Sequence, residues 1–384
     1  MANTLTNLIP DIYERLDTVS RELVGAIPAV SRDSGAERAA VNEDIRSHVA
    51  PASTAADITP STDAPDTGDQ TIGSKTMTIS KARAVPVRST GEEQKGLNNG
   101  AGYRNVLMDQ FEQAFRTLTN EVETDLMTDI YQNASQAYGT AGTTPFASNL
   151  SDPAEIRKIL SDNGAPLSDM QMVIDTAAGA KMRTLAQLTK ANEAADASLL
   201  RQGVLLDIHG FAIRESGQAQ SHTGGTGASA TTDATGYAIG ATTITLASAG
   251  TGSILEDDFV SFAGDSRKYR VTSGDADVSG GGTITIEAPG LQKAIPTSAT
   301  AITVAGSYTG NVAFDRRAVH LATRVPARPE EGDKAIDVEI VVDERSGLAF
   351  EVAIYPEYRR VHYEVSLAWG YKVFKPEHTA VLLG

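Results

Sequence analysis

Chemistry in this chain would have to come from histidines, carboxylates, hydroxyls or glycine-rich loops, because the sequence has six histidines and no cysteine. His48, His209, His222, His320, His362 and His378 stand far apart. None lies four residues from another on a helical stretch, and none has a second histidine at ligand spacing, so no metal site is expected. His362 sits between Val361 and Tyr363 in a strand-like run and should point away from the apolar face, as a solvated or hydrogen-bonded residue. No Gly-x-Ser-x-Gly elbow is present, and Ser, His and Asp are too scattered to favour a triad. Gly224, Gly225 and Gly227 follow no strand that opens a helix and lack the lysine of a phosphate loop. Glu256, Asp257, Asp258 and Asp265 could be offered to calcium, but the spacing of a dedicated loop is missing, and a turn of mutually repelling carboxylates is the commoner reason for such a group. The expectation is no catalytic residue, no cofactor and no metal, hence no enzyme.

Composition narrows the classes further. A formal net charge of −16 argues against a protein that grips nucleic acid through clustered Lys and Arg, although an acidic surface could enclose DNA without sticking to it. Nowhere does the chain approach the ~18 consecutive apolar residues of a membrane span, and Met1 to Pro10 lacks a basic segment followed by an apolar run. The expectation is a soluble protein made in the cytoplasm, with 384 residues sufficient for two or three units.

The element that must position everything else runs from Tyr103 to about Ser135. Leu107, Phe111, Ala114, Phe115, Leu118, Val122, Leu126 and Ile130 recur at steps of three and four, which predicts one amphipathic helix about 50 Å long. Ahead of it, residues 3 to 23 carry a helical stripe from Leu5 to Leu23. Residues 45 to 102 are punctuated by Pro51, Pro60, Pro65 and Pro86, acidic in the first half and basic in the second. That segment has too little apolar surface to fold alone, so it reads as an extended two-stranded arm lying on something else.

Behind the helix, residues 150 to 216 alternate helix and strand. Asp152, Pro153 and Glu155 read as a helix start, Met172 to Ile174 as a strand, Thr176 as the cap of a helix to about Leu188, Leu199 and Leu200 as a short helix, and Phe211 and Ile213 as a strand. Residues 217 to 310 turn to Gly, Thr, Ala and Ser, with short strands expected at 243 to 246, 259 to 262, 269 to 272, 283 to 287 and 301 to 304, the pattern of a small inserted β-barrel or sandwich. After residues 311 to 335, residues 336 to 384 are dominated by long strands. Ile336, Val338, Ile340 and Val342 alternate, Asp343 to Gly347 turns, Phe350, Val352 and Ile354 alternate back, and Val361 to Val373 hold one face.

This order of parts resembles the major capsid proteins of tailed double-stranded-DNA bacteriophages, in the coat-protein branch with a β-barrel insertion domain. Pro65 to Gly73, Thr76 to Arg88 and the run from Gly91 through Asn98, Asn99 and Gly100 resemble that family's extended loop and helix entry. Ser346, Gly347, Leu348, Phe350 and Val352, then Tyr358, Tyr363, Leu367, Trp369 and Gly370, resemble its C-terminal strands. The resemblance implies an α+β capsid fold. Its parts would be an N-terminal arm (1–44), an extended loop (45–102), a spine helix opening the peripheral domain (103–149), an axial domain (150–216 and 311–335), the insertion (217–310), and strands that finish both domains (336–384).

It further implies pentamers and hexamers in an icosahedral virion, assembled in the host bacterial cytoplasm around DNA, with a portal protein. No ~100-residue helical pro-segment is present, so a separate scaffolding protein is expected. A cargo-packaging compartment and a surface-binding β-rich module are the alternative readings. The basic end of the arm, with Lys75, Lys81, Arg83 and Arg88, is expected to reach a neighbour's acidic helix face at Glu121, Glu123 and Asp125.

Overall fold

The computed structural model describes residues 24–49, 55, 57–58, 60, 72–97, 103–189, 207–343 and 346–384. The helices expected over 3 to 23 and at Leu199 and Leu200 lie outside the described residues.

The apolar stripe of the long helix becomes a buried seam. The helix spans Tyr103–Gln132, 30 residues, or about 45 Å at the rise of an α-helix. Leu107, Phe111, Phe115, Leu118, Val122, Leu126 and Ile130 are all buried in one cluster. It ends sooner than periodicity alone predicts. The Asn133 side-chain amide donates to the Asp129 carbonyl at 2.8 Å, and the chain is then drawn into a strand, with the Ser135 N–H bonded to the Thr379 carbonyl at 3.1 Å and Gln136–Gly139 running parallel to Thr379–Leu383. Gly139, at φ +96, closes that strand where a Cβ would lie 2.9 Å from the Leu383 carbonyl oxygen.

The helix lies on a six-stranded sheet. Its central strand is Arg360–Val373, 14 residues long. One edge of that strand pairs along its length with Lys81–Thr90, from Arg360 opposite Thr90 to Trp369 opposite Lys81. The other edge is shared by Ala349–Glu357 and Val319–Pro326. Asp337–Val342 and Ser31–Ala39 then flank those two. Phe111 meets Tyr363 edge-on at 5.5 Å, and Phe115 meets Phe350 at 5.1 Å. Residues 81 to 90 are therefore a strand of the chain's own sheet, a correction to the arm expected over 45 to 102. Among the described residues, Asp44–Val49 and Gly73–Thr78 form a separate two-stranded ribbon. The arm strand carries Val85, Val87 and Ser89 on alternating, helix-facing positions, and that pattern decides its place.

The alternation of Ile336, Val338, Ile340 and Val342 is real, but its apolar face looks outward. Val341 faces the helix, 1% exposed, while Ile336 and Val342 are 70% and 43% exposed. The turn sets this register: Asp343 N–H bonds the Leu348 carbonyl, which pairs Val341 with Phe350.

A second, eleven-stranded sheet holds Gln136–Gly139, Thr379–Leu383, Tyr308–Asp315, Met170–Ile174 and Phe211–Glu215 in adjacent positions. Residues 311 to 335 are split between the two sheets, because the chain turns at Arg316–Ala318 and Val319–Pro326 pairs with Arg360–Val373 instead. Asp175 caps Thr176–Thr184 through the Ala178 N–H at 2.9 Å. The helix Ser151–Asp162 is not capped by Asp152, whose carboxylate takes the Phe146 N–H at 2.6 Å and pins the preceding loop.

Thr243–Leu246, Phe259–Phe262, Lys268–Ser273, Gly282–Ile286 and Ile302–Val304 enclose a core of their own around Ile244, Val260, Phe262, Tyr269, Val271 and Ile284. This unit is not hung on a linker: Lys268 and Tyr269 pair with Ala137 and Gln136, which makes it continuous with the second sheet.

Glu123 locks the chain before the first strand onto the helix. Its carboxylate accepts the N–H groups of Gly25 at 2.7 Å, Ala26 at 2.6 Å and Ile27 at 2.9 Å, at the start of the short helix Ala26–Ala29. Replacing Glu123 with Ala leaves three buried donors unpaired. The expected loss is about 3 kcal/mol or more of unfolding free energy in urea titrations, with Glu123→Gln intermediate because one acceptor oxygen remains.

Candidate functional site

Four of the charged residues singled out by sequence, Lys81, Arg83, Glu121 and Asp125, come together within the one chain. Glu121, Asp125, Asp129 and Asn133 follow one another at i, i+4 along the helix, so they form a single row on the flank of the apolar seam. The arm strand and the central strand supply its partners. Arg83 Nε lies 3.2 Å from Glu121, and Lys81 Nζ lies 2.8 Å from Asp125 and 3.6 Å from Glu121. The second oxygen of Asp125 accepts the indole N–H of Trp369 at 2.9 Å. Trp369 is fully buried, so without that acceptor its N–H would have no solvent to turn to. Partial burial alone would depress the Lys81 ammonium, but its bond to Asp125 and the charges of Asp125 and Glu121 hold it above its usual value.

Asp129, the next residue of the row, is paired less completely. Asn133 Nδ2 reaches its Oδ1 at 3.0 Å, while its Oδ2 is buried without a hydrogen-bond partner. Burial raises its carboxyl to about 6, against the opposing pull of the Val373 backbone N–H, Lys372 and Arg270. Arg270 ties the β unit to the end of the helix: Nε donates to the Ala134 carbonyl at 3.1 Å, and Nη1 to Asp257 at 2.8 Å.

Glu123 does not belong to this surface. It is 0% exposed, and burial raises its carboxyl against hydrogen bonds from Ala26, Ser216, Ile27 and Gly25. Its burial leaves it no exposed face, and Glu121 and Asp125, expected to receive a neighbour's arm, pair with Lys81 and Arg83 of the same chain. Lys75, on the ribbon, donates to the Phe374 carbonyl at 2.7 Å and lies 5.7 Å from the Phe374 ring centre, with Lys372 at the same distance from that ring. Arg88 is exposed, opposite His362 in the ladder.

Several of the groups considered for chemistry have protein partners, while His362 Nε2 and His378 Nδ1 are buried without a hydrogen bond. Asp258 accepts Leu255 N–H at 2.7 Å and Gly225 N–H at 3.0 Å and meets His222 Nε2 at 2.9 Å. Asp265 accepts the Tyr269 hydroxyl at 2.6 Å. The amides of the glycine cluster are taken in the same way, with Gly224 N–H on Ser307 and Gly227 N–H on Ser253. His362 Nδ1 lies 3.4 Å from Glu357, and His320 Nε2 lies 3.0 Å from the Arg317 carbonyl. Among the described residues no three His, Asp or Glu side chains are grouped to hold a metal ion. Three structural contacts escaped sequence reasoning: the Asp125–Trp369 bond, the Glu123 cap and the Arg270 latch. The i, i+4 carboxylates were a usable signal for the first; nothing local marks the other two.

No family model matches the chain, and no curated protein matches its sequence. Solved structures similar to it include a chain of Mycobacterium phage Che8, 14% identical over 89% of this chain and 84% of that one, with a TM-score of 0.47. A capsid chain of cyanophage P-SCSP1u is 12% identical over 92% of this chain and 86% of its own, with a TM-score of 0.49. A virus-like particle from Pyrococcus furiosus is 10% identical over 98% and 99%, with a TM-score of 0.44. At that distance the function has to be read from the chain's own arrangement.

Two variants test the acidic row. Asp125→Ala should cost about 2 to 3 kcal/mol in urea and shift the fluorescence of Trp369, the single tryptophan, in the still-folded protein. Asp129 binds a proton more tightly folded than unfolded. It therefore contributes stability that is fully present below pH about 4 and is lost as pH rises through about 6. Asp129→Asn should remove that contribution, so the wild type should lose stability relative to the variant as pH rises from about 4 through about 6. Parallel curves for the two proteins would contradict the assignment.

Proposed function

We propose that this chain is a shell subunit, the major capsid protein of a tailed double-stranded-DNA phage, which assembles pentamers and hexamers into an icosahedral head. The observation that carries the reading is the ribbon of Asp44–Val49 and Gly73–Thr78. Among the described residues no third strand joins it. Its base is held: Met77 and Ile79 pack with Ala322 and Ala368, and Lys372 donates to the Thr76 carbonyl at 3.0 Å. Farther out, Arg46, Gly73 and Ser74 are exposed and Ile72 is 68% exposed. A two-stranded ribbon is marginal in water by itself, and a neighbouring subunit would supply the missing contacts.

The rest of the arrangement agrees with assembly. The element order is the one whose residues resemble the capsid family, the β unit adds a separate core beside the end of the helix, and an acidic surface suits a wall around DNA that must not bind it. A separate scaffolding protein and a portal complete this reading, with no catalytic step. The subunit would be made in the bacterial cytoplasm and end in the virion.

Expressed with its scaffolding protein, the chain should form closed shells in electron micrographs, with nucleic acid rather than packaged enzyme inside mature particles. A protein that stays monomeric at every concentration in size-exclusion chromatography would overturn the proposal. Replacing residues 50–72 with a short Gly-Ser turn should leave the unfolding midpoint unchanged and abolish shells. A comparable loss of monomer stability would instead make the ribbon part of its own subunit's core.

A further inference from the structure

Arg267, Lys268 and Arg270 stand close together in sequence, where the β unit meets the second sheet. Each arginine has a carboxylate. Arg270 pairs with Asp257 and Glu287, and Arg267 Nη2 lies 3.4 Å from Asp162. Lys268 differs: its ammonium donates to the Gly139 carbonyl, and among the described residues no carboxylate pairs with it. Burial holds it below its usual value, with no opposing negative charge. One carbonyl is a poor replacement for the water that a half-buried ammonium gives up.

Lys268 lines a cleft of about 340 Å3 in the seam between the two units. Ser266 shares its β-unit wall, and the opposite wall carries the hydroxyls of Thr140, Thr144 and Ser148 and the carboxylate of Asp152. Asp152 Oδ2 accepts the Phe146 N–H at 2.6 Å, which leaves Oδ1 able to take a further donor. A ligand matched to this lining brings negative charge to the ammonium, acceptors to the hydroxyls and a proton to the carboxylate. Sulfate meets the first two demands but is repelled by Asp152. Phosphate near neutral pH keeps at least one P–OH group, so it meets all three, with its oxygens on Lys268 and the hydroxyls and its proton on Asp152.

We propose that this cleft binds one free phosphate ion, in a protonated form, between Lys268 of the β unit and Asp152 at the start of the helix Ser151–Asp162. Bound there, the ion bridges the β unit and the second sheet at a point separate from the Arg270 latch. A net charge of −16 disfavours anions elsewhere on the surface, so saturable uptake identifies a built site. The site does not depend on whether the chain forms shells.

Equilibrium dialysis of the full chain against radiolabelled inorganic phosphate, with ionic strength fixed by sodium chloride, tests the site. The expected result is saturation at one phosphate per chain, with sulfate about tenfold weaker as a competitor. Lys268→Met should weaken binding by about tenfold or more. Lys293→Met, which removes an ammonium bonded to the Gly264 carbonyl away from the cleft, should leave it unchanged. Asp152→Asn keeps an oxygen for the Phe146 N–H and should erase the preference for phosphate over sulfate. If Lys268→Met does not fold, Thr144→Val combined with Ser148→Ala keeps the lysine and should still weaken binding severalfold.

Absence of saturable uptake, or uptake that survives Lys268→Met in folded protein, overturns the site. Equal affinity for sulfate and phosphate overturns the protonated form and the part given to Asp152. A single-stranded oligonucleotide that binds while free phosphate does not would assign the cleft to a phosphodiester, and equally overturns the proposal.

Discussion

The buried indole N–H of Trp369 needs an acceptor, and the fold is arranged so that Asp125 supplies it. That one bond joins the long helix to the central strand, and the other oxygen of the same carboxylate holds Lys81 at the start of the arm strand. Three elements distant in sequence therefore meet at one carboxylate. Because Trp369 and Lys81 are also opposite each other in the ladder, a register slip of either strand would break the ladder and the carboxylate bonds together. Apolar packing alone would tolerate several registers of strand against helix; a polar group that must be satisfied in a dry place does not.

The same logic extends along the row. Its carboxylates meet cations from three elements, the arm strand at Glu121 and Asp125, and the central strand and the β unit at Asp129. Packing draws the helix toward both sheets, and these charges determine where along its length each element settles. The Arg270 latch plays the matching part for the β unit: its guanidinium spans that unit's own Asp257 and the Ala134 carbonyl just past the helix, so the unit is seated by polar contacts at the edge of a continuous sheet.

Much of the fold was legible because periodicity reports burial on one face. The helix stripe, the strand from Val361 to Val373 and the short strands between residues 243 and 304 all declared themselves in that way. What periodicity could not supply was the partner of each face. Val85 and Val87 looked like part of a projecting arm because the strand that receives them, Arg360–Val373, lies far along the chain. Ile336 to Val342 alternated correctly but faced outward, since the turn at Asp343 to Leu348 sets the register. Glu123 looked like one more surface acid. Nothing in its neighbourhood of sequence shows that the backbone amides of residues 25 to 27 converge on it. The charge complementarity between the arm and the helix was visible in composition, but composition carries no information on whether the two belong to one chain or two.

One consequence follows from where the central strands lie. Arg360–Val373 joins the arm strand, Val319–Pro326 and its own hairpin partner, and Thr379–Leu383 sits between Gln136–Gly139 and Tyr308–Asp315. Both are the last-made members of their sheets. A nascent chain on the ribosome thus holds its helix and its arm strand with no ladder to join them until residues 360 to 373 are made, and non-local closure of this kind is slow. Translation order itself would delay closure of both sheets until residues 360 to 383 have emerged.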